Sequence, residues 1–96
     1  MFNEGSLIQA SSTQVSSDLG GEVIILSLKS GIYYGLNEVG TTIWNLIQQP
    51  TTFEQIFKTV VEDYEVEAEQ CKKDLLEILA DMRKAGLLEV NHAMVV

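Results

Sequence analysis

A β-hairpin that runs straight into a helix constrains this chain more than any other stretch. It lies between Leu26 and Trp44. A β-rich run ends at Leu28, and Lys29-Ser30-Gly31 makes a short polar connection that closes on glycine. A second β-rich run, Ile32 to Leu36, follows at once. Two runs joined in this way predict an antiparallel hairpin, because glycine supplies the positive φ that the return needs. Asn37 then stops the strand and is placed to cap a helix, its side-chain oxygen accepting from the N–H of Val39 or Gly40. Glu38 adds a negative charge at the positive end of that helix. The second strand of the hairpin is the expected working surface.

The flanking sequence builds a sheet before this stretch and helices after it. Leu7 to Ala10, extending toward Val15, is predicted as a first strand, and Met1 to Ser6 is expected to be loose. Ser11-Ser12-Thr13 and Ser16-Ser17-Asp18 read as turns, and Gly20-Gly21 as a tight one. Glu22 to Leu28 is apolar on both faces, as a central strand would be. In the strand after it, Ile32, Tyr34 and Leu36 share one face, and Tyr33 and Gly35 the other.

Val39, Ile43, Leu46 and Ile47 recur at helical steps and predict a first helix from about Glu38 to Gln48, ended by Pro50. Thr51 with Glu54 forms a capping box that opens a second helix. Its buried stripe is Phe53, Ile56, Phe57, Val60, Val61 and Tyr64. A third helix is predicted from about Glu67 to Ala85, with Ala68, Cys71, Leu75, Ile78, Leu79 and Met82 on one side. Gly86 sits just past its end. Leu87 to Val90 reads as a short terminal strand, and His92 to Val96 as a fraying tail.

The predicted fold class is α+β: a small three-stranded antiparallel sheet followed by three helices, arranged as a winged helix-turn-helix. At 96 residues the chain is expected to be one domain, with an ordered core over about residues 6–90. No run of apolar residues is long enough to cross a membrane, and no secretory signal opens the chain. A lone cysteine, Cys71, fits a reducing compartment, so a cytoplasmic location is expected.

Charge narrows the partners. The net charge is −8. Binding to nucleic acid draws on neutralised phosphates, and an anionic membrane surface repels the same excess of acid. Glu62, Asp63, Glu65, Glu67, Glu69, Asp74, Glu77 and Asp81 crowd the region where a DNA-reading helix carries basic and amide side chains. Only Lys72 and Lys73 oppose them, with Arg83 and Lys84 at the far end. A neutral or basic peptide is the better candidate.

Catalytic and metal-binding patterns are missing. The single His and single Cys lie far apart. Gly31, Gly35 and Gly40 do not fit a phosphate loop. Cys71 lies on the apolar stripe and reads as a small buried hydrophobe. Trp44 reads first as core, with partial exposure expected because it sits off the main stripe. Of Tyr33 and Tyr34, one ring is expected to pack inward and the other to line a groove. No enzyme activity and no cofactor are predicted.

Tyr34-x-Leu36-Asn37-x-x-Gly40-x-x-Ile43-Trp44, the following Thr-started helix, Asp63-Tyr64-Glu65-Val66 and the closing Lys84-Ala85-Gly86-Leu87-Leu88 together resemble the PqqD-like family. These are recognition domains for ribosomally made, post-translationally modified peptides. The resemblance covers about Glu22 to Val90 and looks closest to the stand-alone members of lasso-peptide pathways. It implies a non-catalytic module that binds the leader of a precursor peptide by strand addition and presents it to a separate leader peptidase, beside a cyclase or other modifying enzyme. The peptide would lie on Ile32, Tyr33, Tyr34, Gly35 and Leu36. Its side chains would enter a groove walled by Cys71, Lys72, Asp74, Leu75, Leu76, Ile78 and Leu79 of the third helix. Two alternatives stand beside this: a PqqD-like peptide chaperone for a radical-SAM enzyme, and an acidic helix-turn-helix that regulates by binding protein.

Overall fold

The computed structural model describes residues 6–20 and 22–92. It is an α+β fold with two antiparallel sheets and three helices. Strand β1 (Ser6–Ala10) is followed by β2 (Gln14–Asp18), β3 (Val23–Ser27) and β4 (Tyr33–Leu36). Helices α1 (Glu38–Leu46), α2 (Phe53–Tyr64) and α3 (Ala68–Lys84) come next, and β5 (Leu88–His92) closes the described chain.

The three-stranded sheet has the order β2-β3-β4, so β3 is central as its apolar sequence requires. Val23, Ile25 and Ser27 are buried, and Ile24 and Leu26 are half-buried on the other face. In β4, Tyr34 and Leu36 stand opposite Ile25 and Val23 and pack on the core, while Tyr33 and Gly35 face outward. The outer face also carries exposed Val15 and Leu28. The hairpin turns as expected, with Gly31 at φ +71° and its N–H on the Ser27 carbonyl at 2.8 Å.

Two expectations for the N-terminal third are corrected. The single strand reaching toward Val15 is instead two strands in two different sheets. Ser16-Ser17-Asp18, read as a turn, pairs with Ile25, Ile24 and Val23 inside β2. Pairing with an apolar central strand outweighs the weak strand preference of these exposed residues. Ser6 is not loose. It is buried and pairs with His92 in the second sheet, which joins β1 to β5 from Ser6↔His92 to Ala10↔Leu88. This sheet is clamped to the helices. Ile8 exchanges two backbone hydrogen bonds with Thr51, and the Ala10 N–H donates to the Ile47 carbonyl at 2.8 Å. His92, expected to fray, is instead the last residue of β5, while Met1 to Gly5 of the expected loose segment, Gly21 of the tight turn, and Ala93 to Val96 of the tail lie outside the described residues.

The helix ends follow local chemistry. Asn37 Oδ1 accepts from the Gly40 N–H at 2.8 Å and opens α1. The cap of α2 is Thr52, one residue later than expected, and it accepts from the Gln55 N–H at 3.2 Å. The shift has a cause: the Thr51 backbone is taken by the bridge to Ile8, so it cannot enter the helix. At the other end of α3, the Gly86 N–H reaches the Arg83 carbonyl and the Leu87 N–H reaches the Met82 carbonyl, with Gly86 at φ +78°. This is a Schellman closure, and glycine enters it without steric cost.

The core draws on every layer. Ile8, Ile25, Ile43, Ile47, Ile56 and Leu79 are fully buried. Trp44 belongs with them at 2% exposure, in line with its reading as core, and the partial exposure also considered for it is not found. Ile43, Trp44 and Ile47 all join one core cluster, so the packed face of α1 is wider than its main stripe.

Candidate functional site

The backbone of β4 makes the first half of the site. The Ser27 N–H donates to the Ile32 carbonyl at 3.0 Å, which marks Ser27↔Ile32 as a hydrogen-bonded pair. Bonded and non-bonded pairs alternate along an antiparallel ladder. Ile25↔Tyr34 and Val23↔Leu36 are therefore bonded, and Tyr33 and Gly35 lie between them. Their N–H and C=O groups point away from β3, along the free edge of the sheet. Among the described residues no strand pairs with that edge. Such an edge is a template for another strand. Gly35 adds room: a Cβ there would meet no atom within 4 Å, so the free fold does not require glycine at this position.

The second half is a groove of about 600 Å³ that opens where β4 ends. Asn37 and Val39 line it from the start of α1, Val60 and Tyr64 from α2, and Gln70, Cys71, Asp74, Leu75 and Ile78 from α3. Val66 and Glu67, from the connection between α2 and α3, complete it. The volume lies within the range of small-ligand and side-chain pockets, roughly 300–1,000 Å³. The Tyr64 hydroxyl fixes one wall, lying 2.7 Å from Thr42 Oγ1 and donating to the Glu38 carbonyl at 3.3 Å. Glu65 helps to place Val66 and Glu67 by turning the chain in the left-handed region at φ +48°. Burial pushes the Cys71 thiol above its ordinary pKa, and the Asp74 carboxylate adds to that. Cys71 is 5% exposed, as its place on the apolar stripe implied.

The expected site residues separate into groups. Cys71, Asp74, Leu75 and Ile78 line the groove together. Tyr33, Tyr34, Gly35 and Leu36 form the edge strand beside it, and Ile32 precedes them, exposed, at the hairpin end. Tyr33 is the outward ring, 70% exposed, and Tyr34 packs inward. Lys72, Leu76 and Leu79 are not brought to the groove. At 100° per residue, positions 72 and 76 fall on the far side of α3 from 67, 74 and 78. Leu79 is in the core with no exposure. Sequence reasoning about the site missed Asn37, Val39, Val60, Tyr64, Val66, Glu67 and Gln70. Part of the signal was present, since Asn37 stands in the strand-to-helix motif and Tyr64 and Val66 in Asp63-Tyr64-Glu65-Val66.

Among the described residues no group of three His, Cys, Asp or Glu is placed to hold a metal ion. No helix of the described residues is long and apolar enough to cross a membrane.

Residues 22–88 match the family model described as coenzyme PQQ synthesis protein D (PqqD). The chain belongs to the PqqD family. The matched span runs from just before β3 to the first residue of β5, and so contains both the β4 edge and the groove. Among solved structures, TbiB1 in complex with the TbiA(beta) leader peptide superposes with a TM-score of 0.79 at 32% identity, covering 84% of this chain and 94% of that one. Lasso peptide synthetase B1 complexed with the leader peptide superposes with a TM-score of 0.75 at 16% identity, over 85% and 96% of the two chains. The second likeness speaks for the fold alone. No curated protein matches significantly.

Proposed function

We propose that this PqqD-family chain is a single, non-catalytic recognition domain of lasso-peptide biosynthesis that binds the leader segment of a precursor peptide. The leader adds as a strand to β4, pairing with the N–H and C=O groups of Tyr33 and Gly35. Side chains on the inward side of that strand enter the groove between the start of α1 and the first half of α3. The observation that carries this reading is the unpaired edge of β4, with a groove that opens at Asn37, the residue after the strand. The 32% identity to TbiB1, itself solved with a leader peptide, supports it.

Strand addition suits the task. Main-chain bonds give affinity with little demand on sequence, and the groove adds specificity through alternate side chains. An affinity between high nanomolar and micromolar, roughly −8 to −10 kcal/mol, is ordinary for this mode. The bound leader is then held for a separate leader peptidase, with a cyclase or other modifying enzyme acting beside it in the cytoplasm. The α2–turn–α3 unit with its flanking strands serves as a winged helix-turn-helix used for peptide rather than for DNA.

A backbone-amide NMR titration with a synthetic copy of the leader of its own pathway's precursor tests the proposal. Shifts at Tyr33 to Leu36 and along Gln70 to Ile78 are expected. No shifts at millimolar peptide would remove the function and leave the fold standing.

A further inference from the structure

The groove has an apolar floor and an acidic mouth. Val39, Val66 and Ile78 line it together with Glu67 and Asp74, and no basic side chain does. Glu67, the residue that caps the start of α3, and Asp74 are seven positions apart, roughly 10 Å along the helix axis. Gln70 sits between them, and its Nε2 donates to Asp74 Oδ1 at 2.9 Å. That bond occupies one carboxylate oxygen and leaves the other open to a further donor.

Both carboxylates are exposed and hydrated in the free protein. A strand laid beside β4 and over the groove takes Asp74 out of water. A carboxylate desolvated without a counter-charge or an added donor costs binding energy. Lys72 and Lys73 do not line the groove, so they are not placed to supply one. The compensating donor must come from the ligand. A side chain with an apolar stem and a cationic tip satisfies floor and mouth at once, and only Lys and Arg have that form. The Asp74 carboxylate also opposes a thiolate at Cys71, so its negative potential extends into the groove, where a cation is favoured.

Resting on the reading that the groove holds the leader, we infer that one Lys or Arg of the leader occupies it. The methylene stem packs on Val39, Val66 and Ile78, and the charged head pairs with Asp74. The net charge of −8 assists the encounter.

The test uses a synthetic copy of the leader of its own pathway's precursor. Each Lys is replaced in turn by norleucine, and each Arg by citrulline. These peptides are titrated by fluorescence anisotropy against the full chain and its Asp74→Asn variant. At one peptide position Kd is expected to rise roughly threefold to tenfold. Asp74→Asn should raise Kd for the parent peptide by a similar factor, and the two changes together should cost no more than either alone. Asp74→Lys should recover affinity with a peptide carrying Glu at that position. Losses that multiply, or no position worth more than about twofold, overturn the cation subsite. If Gly35→Pro still weakens those same peptides, leader binding at the β4 edge survives that result. A leader that fails to bind the wild-type chain at millimolar concentration overturns both. Asp74 is exposed, so its variants should melt within about two degrees of wild type, which separates lost binding from lost fold.

Discussion

Replacing Gly35 with proline should abolish much of the leader affinity and little of the stability. The Gly35 N–H lies in a non-bonded pair of the β3–β4 ladder and points to the free edge. Proline removes that donor and costs no bond of the existing sheet, and an edge strand tolerates it. The residue before it, Tyr34, is already extended, which is the conformation a following proline favours. In the complex the loss is larger. One main-chain bond contributes about 1 kcal/mol net, and the leader carbonyl left unpaired beside the ring adds a comparable cost. The sum, about 2 kcal/mol, is roughly thirtyfold in Kd. Tyr34→Pro is the contrasting variant. Its N–H belongs to the bonded pair with Ile25, so it should lose about 3 kcal/mol of stability. Isothermal titration with the leader reads the first effect and thermal melting the second. A Gly35→Pro protein that binds with wild-type Kd would refute strand addition at β4, whatever else the peptide touches.

Leu75 and Val66 both line the groove but should respond differently. Leu75 is 2% exposed and part of the core, so Leu75→Asp should unfold the domain, costing well over 3 kcal/mol by thermal melting. Val66 is 43% exposed, so Val66→Asp should keep the fold and weaken leader binding roughly tenfold by titration. The raised pKa of Cys71 sets a pH dependence. Its native thiol holds the proton more tightly than the unfolded one, so the stability it contributes is complete below about pH 9 and is lost as pH rises through the folded value. Urea unfolding should show a shallower fall above pH 9 for Cys71→Ala than for wild type. Random duplex DNA at low salt should give no mobility shift, because the acidic face of α3 repels phosphate.

The hairpin, the helix caps and the Schellman closure were legible because each depends on a few neighbouring residues. Gly31, Asn37 and Gly86 act through their own backbone or a partner within a few positions. The second sheet was not legible. Pairing Ser6↔His92 joins the two ends of the described chain, and nothing local in Ser6-Leu7-Ile8 announces a partner so far away. The same long-range contact moved the α2 cap from Thr51 to Thr52.

The groove shows a subtler limit. Sequence reasoning took the apolar stripe of α3 as its wall, but a stripe of large apolar residues marks what the core consumes. Leu75, Leu79 and Met82 are buried because they hold α3 to the rest of the fold. A binding wall must be left over after that packing, so it falls on the flank of the stripe, where Ile78 is half-buried and Asp74 and Gln70 are exposed. Cys71 and Leu75 belong to both surfaces, so the stripe and the groove share α3 but only part of its face. The remaining wall comes from segments that end other elements: Asn37 after β4, Tyr64 at the end of α2, and Val66 and Glu67 in the turn. Such residues carry no periodic signal of their own. Their placement depends on the left-handed turn at Glu65 and on the Tyr64 hydroxyl reaching α1, two features that fix this side of the groove.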